Sequence, residues 1–275
     1  MELLLALAVG PVIALSVVLL VTLFTSSPSQ GIGGLPEDAA QPKGVLFRDT
    51  FDGPDGLITN HYAAWSGDAA AVRSPDWEVE SGSMLRRRGA AWTGVPTARQ
   101  PNLDSSNGSG SQIFRAWTNR SDFGDVRVDM RLRNLGYVNG SPGWPKKSWD
   151  GVKIWLRRQG SSGLVGLYTA EVTRRQGNII IQKRCPRARS YALLAASRAD
   201  RPARFRRWEH VGGSVRTRSD GSVTLAVIRD GKVVLRTTDK GAGRCRPITA
   251  AGRVGVRGDN TQFLFDDFTV TDLDR

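Results

Sequence analysis

The chain has 275 residues, of which 40% are hydrophobic, and it contains 31 glycines and 13 prolines. A chain of this length has room for one or two domains with a buried core, and its composition argues against disorder and against a helical bundle. It favours many short strands joined by turns.

The formal net charge is +13, from 39 Lys and Arg against 26 Asp and Glu, and most of the cations are arginine. Such an excess favours an anionic partner, such as an acidic polysaccharide, a phosphate-bearing wall polymer, a lipid surface or nucleic acid. The alternative is GC-rich coding, which favours Arg, Ala and Gly without any partner. Nucleic acid is not expected, because an exported domain would seldom meet it.

Residues 3–25 form an almost unbroken apolar run without a charged side chain. At about 1.5 Å per residue this run can span a hydrocarbon core of ~30 Å, and it is longer than the ~7 to 15 residues of a signal-peptide core. No Ala-x-Ala cleavage site follows it, so residues 1–25 are predicted to be a transmembrane anchor, with a cleaved signal peptide as the alternative. Residues 26–44 are rich in Ser, Gly and Pro and are predicted to be a flexible linker. The folded domain is predicted over 45–275.

Tryptophans and polar loops mark the first half of this domain. Scattered aromatics are more often buried than free to stack on sugars, so three of the tryptophans are interpreted as core residues. They are Trp65, Trp77 and Trp92. The polar segments 96–111 and 137–148 are long enough to be functional loops. Trp144, in the second loop, is a candidate for an exposed aromatic that stacks on a sugar.

Two segments in the middle of the chain alternate between apolar and polar residues, as half-buried strands do. They are 125–133 and 152–157. If these strands pair, their polar sides form a basic strip in which guanidinium groups could bind carboxylate or phosphate and a tryptophan could stack on a sugar. The candidate ligand-binding residues on the strip are Arg127, Arg131, Lys153, Trp155 and Arg157. The alternative is an ordinary charged sheet face, in which Asp129 offsets its neighbours.

Turn signals in the second half of the chain predict two hairpins. The predicted strand pairs are 164–173 with 178–184, and 223–228 with 233–237. Asp230-Gly231 between alternating apolar residues is a strong hairpin signal. The apolar tail, 252–270, is predicted to form two strands around a turn and to pair with 45–51. Because βαβ spacing is absent, the chain predicts an all-β fold of two antiparallel sheets.

The opening FRDTFDGPDGLITNHYAAW, the middle DFGDVRVDMRLRN with WDGVKIWLR, and the closing GRVGVRGDNTQFLFDDF together resemble the concanavalin A-like lectin/glucanase superfamily, on its LamG-like side. The resemblance covers roughly Val45 to Asp272 and implies a jelly-roll sandwich. This fold carries lectins, glycan-binding modules, hydrolases and lyases, so the resemblance implies a sugar ligand but no particular activity.

The same resemblance implies a structural calcium ion where the first and last strands meet. Calcium takes six to eight oxygen ligands in flexible geometry, and Asp carboxylates are suitable. The candidate ligands are Asp49, Asp52 and Asp266 or Asp267. Paired aspartates at a strand end are as often simply solvated.

Catalysis is weakly indicated. The family 16 glycoside hydrolases of this superfamily carry Glu-x-Asp-x-x-Glu on one strand, which supplies paired carboxyl groups, and this pattern is absent here. Lyases of the same fold use a Tyr or His base with Arg or Gln. Tyr168, Gln182, Arg157 and Arg131 could supply those roles if their strands are neighbours.

The two cysteines, Cys185 and Cys245, are most simply a disulfide in an exported domain, closing a loop of about 60 residues. The alternative is a pair of unrelated buried thiols. The only histidines, His61 and His210, do not complete a zinc signature with them.

Together these features predict a membrane-anchored, extracytoplasmic module that binds a glycan, in particular an acidic polysaccharide or envelope glycan. A secreted form is the alternative if the anchor is cleaved. Tyr168 is included in the candidate site as a possible sugar contact. The competing functions are a glycan-cleaving hydrolase or lyase with a divergent site, and a structural envelope protein that binds another protein.

Overall fold

The computed structural model of the chain describes residues 44–60, 72–93, 113–137, 148–161, 164–198 and 204–273. The predicted membrane anchor and nearly all of the linker lie outside these residues, as do Trp65, Trp144 and the predicted loop 96–111. Within the described stretches, we find no helix with the length and apolar character needed to cross a bilayer. The anchor therefore stays a prediction.

Sixteen strands in the described residues form two antiparallel sheets that pack as a sandwich, which confirms the predicted fold class. Helix is confined there to the 3-10 turn Ala242–Arg244. The strands are β1 (Gly44–Asp49), β2 (Gly56–Asn60), β3 (Trp77–Ser81), β4 (Ser83–Arg86), β5 (Ala91–Trp92), β6 (Ile113–Thr118), β7 (Val126–Tyr137), β8 (Gly151–Gln159), β9 (Gly166–Arg174), β10 (Asn178–Arg184), β11 (Ala192–Arg198), β12 (Trp208–Thr217), β13 (Val223–Arg229), β14 (Lys232–Asp239), β15 (Arg253–Asp259) and β16 (Thr261–Asp272).

The larger sheet has nine strands in the order β14-β13-β12-β7-β16-β5-β4-β2, with β1 also paired to β16. The smaller sheet has seven strands in the order β11-β10-β9-β8-β15-β6-β3. Both predicted hairpins are confirmed, as β9 with β10 and β13 with β14. In the second hairpin, Asp230 and Gly231 both take positive φ angles, which the turn between twisted strands requires.

The core lies between the inner faces of the two sheets. Alternate residues of β7, β8 and β15 enter it from the two sides, as the period-two pattern of the sequence predicts. Burying one such side chain contributes roughly 1.5 to 3 kcal/mol. Trp77 is buried in this core, and Trp92 is also buried, which confirms the interpretation of both as packing residues.

The tail of the chain closes the sandwich. Its two strands, β15 and β16, belong to different sheets, and the chain crosses between the sheets at Asn260, which has a φ of 48°. The first strand, β1, pairs with β16 so that Phe47 lies opposite Val270. The predicted pairing of the head of the domain with its tail is therefore confirmed.

A disulfide and a buried ion pair hold the segment between β14 and β15. Cys185 and Cys245 are bonded, with Cα atoms 6.0 Å apart, which confirms the predicted bridge. Beside it the Lys183 ammonium lies 2.7 Å from an oxygen of Asp239, with both side chains fully buried. The same ammonium donates to three carbonyl oxygens in the segment 242–246, at 2.9 to 3.0 Å. Its charge and its hydrogen-bonding capacity are thus used to fix this segment.

Replacing Lys183 should therefore destabilise the domain. Lys183→Met leaves Asp239 as a buried carboxylate without its cation, which should lower the free energy of unfolding by about 3 to 5 kcal/mol. Urea unfolding followed by tryptophan fluorescence measures this. The exposed Lys232 on β14 is the matched control, and Lys232→Met should change the same quantity by less than about 0.5 kcal/mol. Equal effects of the two variants would contradict the role of the ion pair.

The same carboxyl links stability to pH. Burial would raise the pKa of Asp239, but hydrogen bonds from Lys183, from Tyr168 and from two backbone N–H groups outweigh burial and hold that pKa below its ordinary value. A carboxyl whose pKa is depressed by folding contributes stability that is present above its unfolded pKa, about 3.9, and is lost as the pH falls through its folded pKa. The free energy of unfolding should therefore fall on acidification below about pH 4. In Lys183→Met the carboxyl loses the ammonium that lowers its pKa, so the fall on acidification should be smaller than in the wild type. Urea titrations at a series of pH values measure both falls, and falls of equal size would contradict the role of the ion pair.

Candidate ligand-binding face

The two alternating segments of the sequence become β7 and β8, which lie in opposite sheets. β7 pairs with β12 and β16, whereas β8 pairs with β9 and β15. Arg127 and Arg131 therefore face outward from the larger sheet, and Lys153 and Trp155 face outward from the smaller one. The condition for a basic strip, that these two strands pair, is therefore not met, and these four residues do not form one strip. Alternation shows which side chains share a face of a strand, but not which sheet the strand joins.

The outer face of the seven-stranded sheet carries a cavity of about 240 Å³. Four arginines line it, one each from β6, β8, β10 and β15, together with one glutamate from β3. Apolar side chains from β8, from β9 and from the residue just before β9 complete the described lining. The lining residues are Glu80, Arg115, Trp155, Arg158, Val165, Leu167, Arg184 and Arg257. Six consecutive strands of the sheet, from β10 to β3, thus contribute to one cavity.

Two stacked tryptophans form one side of this region. The rings of Trp155 on β8 and Trp117 on β6 have centroids 5.6 Å apart and planes inclined by 20°. β15 lies between these strands and places Gly255 opposite both tryptophans. A Cβ at Gly255 would come within 2.7 Å of the Trp117 Cα and 2.9 Å of its Cβ. Because the glycine has no side chain, the two indoles can meet above it.

A β-bulge in β8 decides which arginine reaches the cavity. The pairing of β8 with β9 shifts register between Leu156 and Gln159, and Arg157 takes a φ of 50°. The fully buried Arg157 guanidinium turns into the end of the sandwich, where it donates to the carbonyl oxygens of Gly124 and Ile248. Arg157 is therefore not the outward ligand contact that strict alternation predicts, because an extra residue reverses the faces that follow it.

Arg158 takes the outward position instead. It lines the cavity, and its guanidinium carbon lies 3.5 Å from the centroid of the Trp117 ring. Stacking of a guanidinium on an indole is favourable and orients the planar fork of N–H donors.

Several polar atoms around the cavity are buried and have no hydrogen-bond partner among the residues that the structure describes. They are Nε1 of Trp117, Nε1 of Trp155, Nε of Arg115 and Nε of Arg158. All four are N–H donors, and an unpaired buried donor costs roughly 1 to 3 kcal/mol.

Two cations of the cavity, Arg115 and Arg158, are incompletely compensated. Burial, and then the neighbouring Arg257 guanidinium, lower the pKa of Arg115, although Glu80 lies 3.3 Å away. Burial likewise lowers the pKa of Arg158. A lowered pKa means that the site as it stands disfavours these charges, so an anion bound there would be attracted to all of them.

Next to the cavity, the same face carries a closed ion network. Lys153 lies 3.0 Å from Glu171 and 3.2 Å from Asp259, which also contacts Arg257 at 2.7 Å. Burial would raise the pKa of Asp259, but Arg257 and Lys153 outweigh burial and lower it. Lys153, predicted as a ligand contact, is thus engaged with two carboxylates of its own sheet.

Tyr168 is not on the outer face. Its side chain is fully buried between the sheets, where its hydroxyl donates to Asp239 at 2.6 Å and accepts from the N–H of Ile248 at 2.8 Å. Burial, and then the hydrogen bond to Asp239, raise the pKa of Tyr168. The prediction that it contacts a sugar is wrong, and so is the lyase set, because Arg131 lies on the other sheet and Arg157 inside the sandwich.

The three carboxyl groups predicted to hold calcium are not assembled as a ligand set. Asp49 accepts hydrogen bonds from the Trp77 indole at 2.7 Å and from the backbone N–H of Phe51 at 2.8 Å. Asp266 lies 3.2 Å from Arg131. Among the described residues, no group of three or more His, Cys, Asp or Glu side chains is placed to hold a metal ion. The structure therefore does not support calcium at Asp49, Asp52 and Asp266.

Of the predicted ligand contacts, Trp155 lines the cavity, whereas Trp117 and the arginines around it were missed by sequence reasoning. A signal for the tryptophan pair was present. Gly255 stands inside an otherwise alternating strand, and a glycine in that position often marks a close approach of other groups.

No family model matches the chain, and no curated protein matches it. Solved structures do resemble it. A Bacillus subtilis protein of unknown function with a galectin-like fold is 12% identical over 84% of this chain and 97% of its own, with a TM-score of 0.54. The carbohydrate-binding module CBM66 of Bacillus subtilis is 10% identical over 71% of this chain and 95% of its own, with a TM-score of 0.48. The exoplasmic/lumenal domain of VIP36, in its Ca²⁺/Man3GlcNAc-bound form, is 12% identical over 82% and 90%, with a TM-score of 0.45. The first of these similarities shows that the domain has a galectin-like fold.

Gly255→Ala should disturb the tryptophan pair. The added methyl group has no room beside Trp117, so we expect a loss of about 1 to 3 kcal/mol in the free energy of unfolding and a weaker near-ultraviolet circular dichroism signal from the stacked indoles. Gly124→Ala is the control, because a Cβ there would meet no atom within 4 Å. An unchanged indole signal in Gly255→Ala would show that the glycine does not determine the stacking.

Proposed function

We propose that this chain is a glycan-binding module that holds an anionic sugar unit in the cavity on the outer face of its seven-stranded sheet. The observation that carries the proposal is the convergence of four arginines on one cavity whose described lining contains a single carboxylate, Glu80. These four side chains come from four different strands, so only the folded sheet brings them together. A basic composition alone would not produce this cluster.

The arginines favour a carboxylate or sulfate on the sugar. A guanidinium group offers a planar fork of donors that matches these anions in a two-pronged manner, and such charge-assisted hydrogen bonds are about twice as strong as neutral ones. Arg184 is well placed for this role, because it is only half-buried and its described hydrogen bond is a long one, 3.3 Å to the carbonyl oxygen of Ala188.

The rest of the lining suits a sugar ring. Trp155 and Val165 contribute apolar side chains to the lining, beside the arginines. The volume of about 240 Å³ is below the roughly 300 to 1,000 Å³ typical of pockets for drug-sized ligands, which is consistent with one sugar unit of a longer chain.

The proposed location is outside the cytoplasm, at the membrane. A disulfide favours an oxidising compartment, which supports an extracytoplasmic domain. The apolar run 3–25 would hold that domain at the membrane, and a secreted form is the alternative.

We do not propose glycan cleavage at the buried carboxylates of this face. Glu171 and Asp259 are carboxylates on the same face, but an oxygen of Glu171 lies 3.0 Å from Lys153 and the other lies 3.2 Å from Arg174. Both oxygens therefore face cations and not an open space in which a leaving group could receive a proton.

Arg184→Gln should weaken binding of an anionic oligosaccharide by about 10- to 100-fold, because a charge-assisted hydrogen bond is lost without emptying the core. Isothermal titration calorimetry with a set of oligouronides and sulfated oligosaccharides measures this. The affinity of the wild type should fall as salt is raised.

Arg127→Gln is the matched control, because Arg127 faces outward on the opposite sheet and should leave the affinity unchanged. Neutral oligosaccharides of the same length should bind more weakly than anionic ones. If Arg127→Gln weakens binding and Arg184→Gln does not, the ligand binds to the larger sheet and the proposed site is wrong. Release of shortened sugars during the titration would show that the chain is an enzyme.

A further inference from the structure

A second cation-rich surface lies at the start of β12. This strand belongs to the nine-stranded sheet, whereas the cavity lies on the seven-stranded sheet. The residues 204–208 read RFRRW, and all five are exposed, as is His210 two positions later. We call this stretch the RFRRW segment. Phe205 is 45% exposed and Trp208 is 37% exposed, so two large apolar side chains lie among these cations at the surface.

The segment is held firmly by the backbone of β7. Phe205 forms a bridge with Asn134, and the N–H of Arg206 donates to the carbonyl oxygen of Asn134 at 2.6 Å. Arg206 takes a φ of 60°, a left-handed conformation that a residue with a side chain rarely adopts. Strain of this kind is often found at functional sites. Here it directs consecutive side chains toward solvent.

The two aromatic residues are fixed by their neighbours but not covered. Phe205 makes an edge contact with Tyr137, with ring centroids 5.3 Å apart. The guanidinium carbon of Arg131 lies 4.8 Å from the centroid of the Trp208 ring. The surface therefore presents ordered aromatic side chains beside cations.

The positive charge of the segment is largely uncompensated. Arg204 lies 3.7 Å from Glu209, whose side chain is buried behind the segment. No ion pair is found for Arg206 or Arg207 among the described residues. These two exposed guanidinium groups are available to an anionic partner.

The combination of exposed aromatic rings and free arginines fits one kind of partner best. Phe205 has no polar atom, so a hydrated polysaccharide would gain little from it, whereas the boundary between lipid headgroups and acyl chains accommodates both Phe and Trp. Arginines at the same level attract anionic headgroups. The predicted membrane anchor and a linker of fewer than about 20 residues would also keep the domain near a bilayer.

We propose that the RFRRW segment is a docking surface for the headgroup layer of an anionic lipid bilayer. Phe205 and Trp208 enter the interface, and Arg206 and Arg207 contact the lipid phosphates. This leaves the cavity on the opposite sheet free to bind its ligand, so the two surfaces can act at the same time.

The test uses the full chain in lipid nanodiscs and measures backbone hydrogen exchange of residues 204–210 by mass spectrometry. Exchange should be slower in discs that contain phosphatidylglycerol than in discs of phosphatidylcholine alone, and raised salt should remove the difference. The double variant Arg206→Gln/Arg207→Gln should reduce the ratio of docked to undocked segment in the anionic discs by about 30-fold, at about 1 kcal/mol for each arginine. Phe205→Ser should reduce it without a change of charge.

The matched control is Arg216→Gln/Arg218→Gln, which removes two exposed arginines from the other end of the same strand and the turn after it and should preserve the protection. Arg184→Gln, in the cavity, should preserve it as well. Equal exchange in neutral and anionic discs would overturn the proposal. Protection by a soluble anionic polysaccharide, with none by phosphatidylglycerol, would also overturn it and would identify the segment as a polysaccharide contact.

Discussion

The β-bulge at Arg157 is the constraint on which both the end of the sandwich and the composition of the cavity depend. It turns the Arg157 guanidinium inward, where it joins β8 of one sheet to Asp125 and to Thr217 at the end of β12 in the other. The same bulge moves Arg158 onto the outer face, above the Trp117 ring. A regular strand would exchange these two side chains, leaving one arginine exposed and the other buried in the core without its partners.

The charges of the smaller sheet are divided into two regions with different consequences. Around Lys153 the cation meets two carboxylates, so the network is closed and stabilises the sheet without needing a ligand. Around Arg115 and Arg158 burial opposes the cations, and their Nε donors find no partner in the described part of the chain. Only the second region has an electrostatic reason to attract an anion. The RFRRW segment on the larger sheet differs from both, because its cations remain in solvent beside exposed aromatic rings.

Much of the fold could be predicted because alternation and turn chemistry act locally. The hairpin at Asp230-Gly231, the inward residues of β7 and the pairing of β1 with β16 all followed from residues close to one another or from matching apolar strands. The candidate site was predicted less well. Trp155 was identified because alternation places it on the outer face of its strand. Its stacking partner Trp117 is 38 positions earlier in the chain, and the two rings meet because the strand between them carries Gly255 at that position.

By itself, the sequence determined that the chain folds into paired antiparallel strands, which residues of a regular strand such as β7 face the core, and that Cys185 and Cys245 could form a bridge. These properties depend on short-range periodicity and on composition. Only the tertiary structure decided that β7 and β8 join different sheets, that Tyr168 is buried against Asp239, and that four arginines surround one cavity. Strand order and bulges are decided by the packing of the whole sandwich, because every strand can satisfy its backbone hydrogen bonds with more than one neighbour.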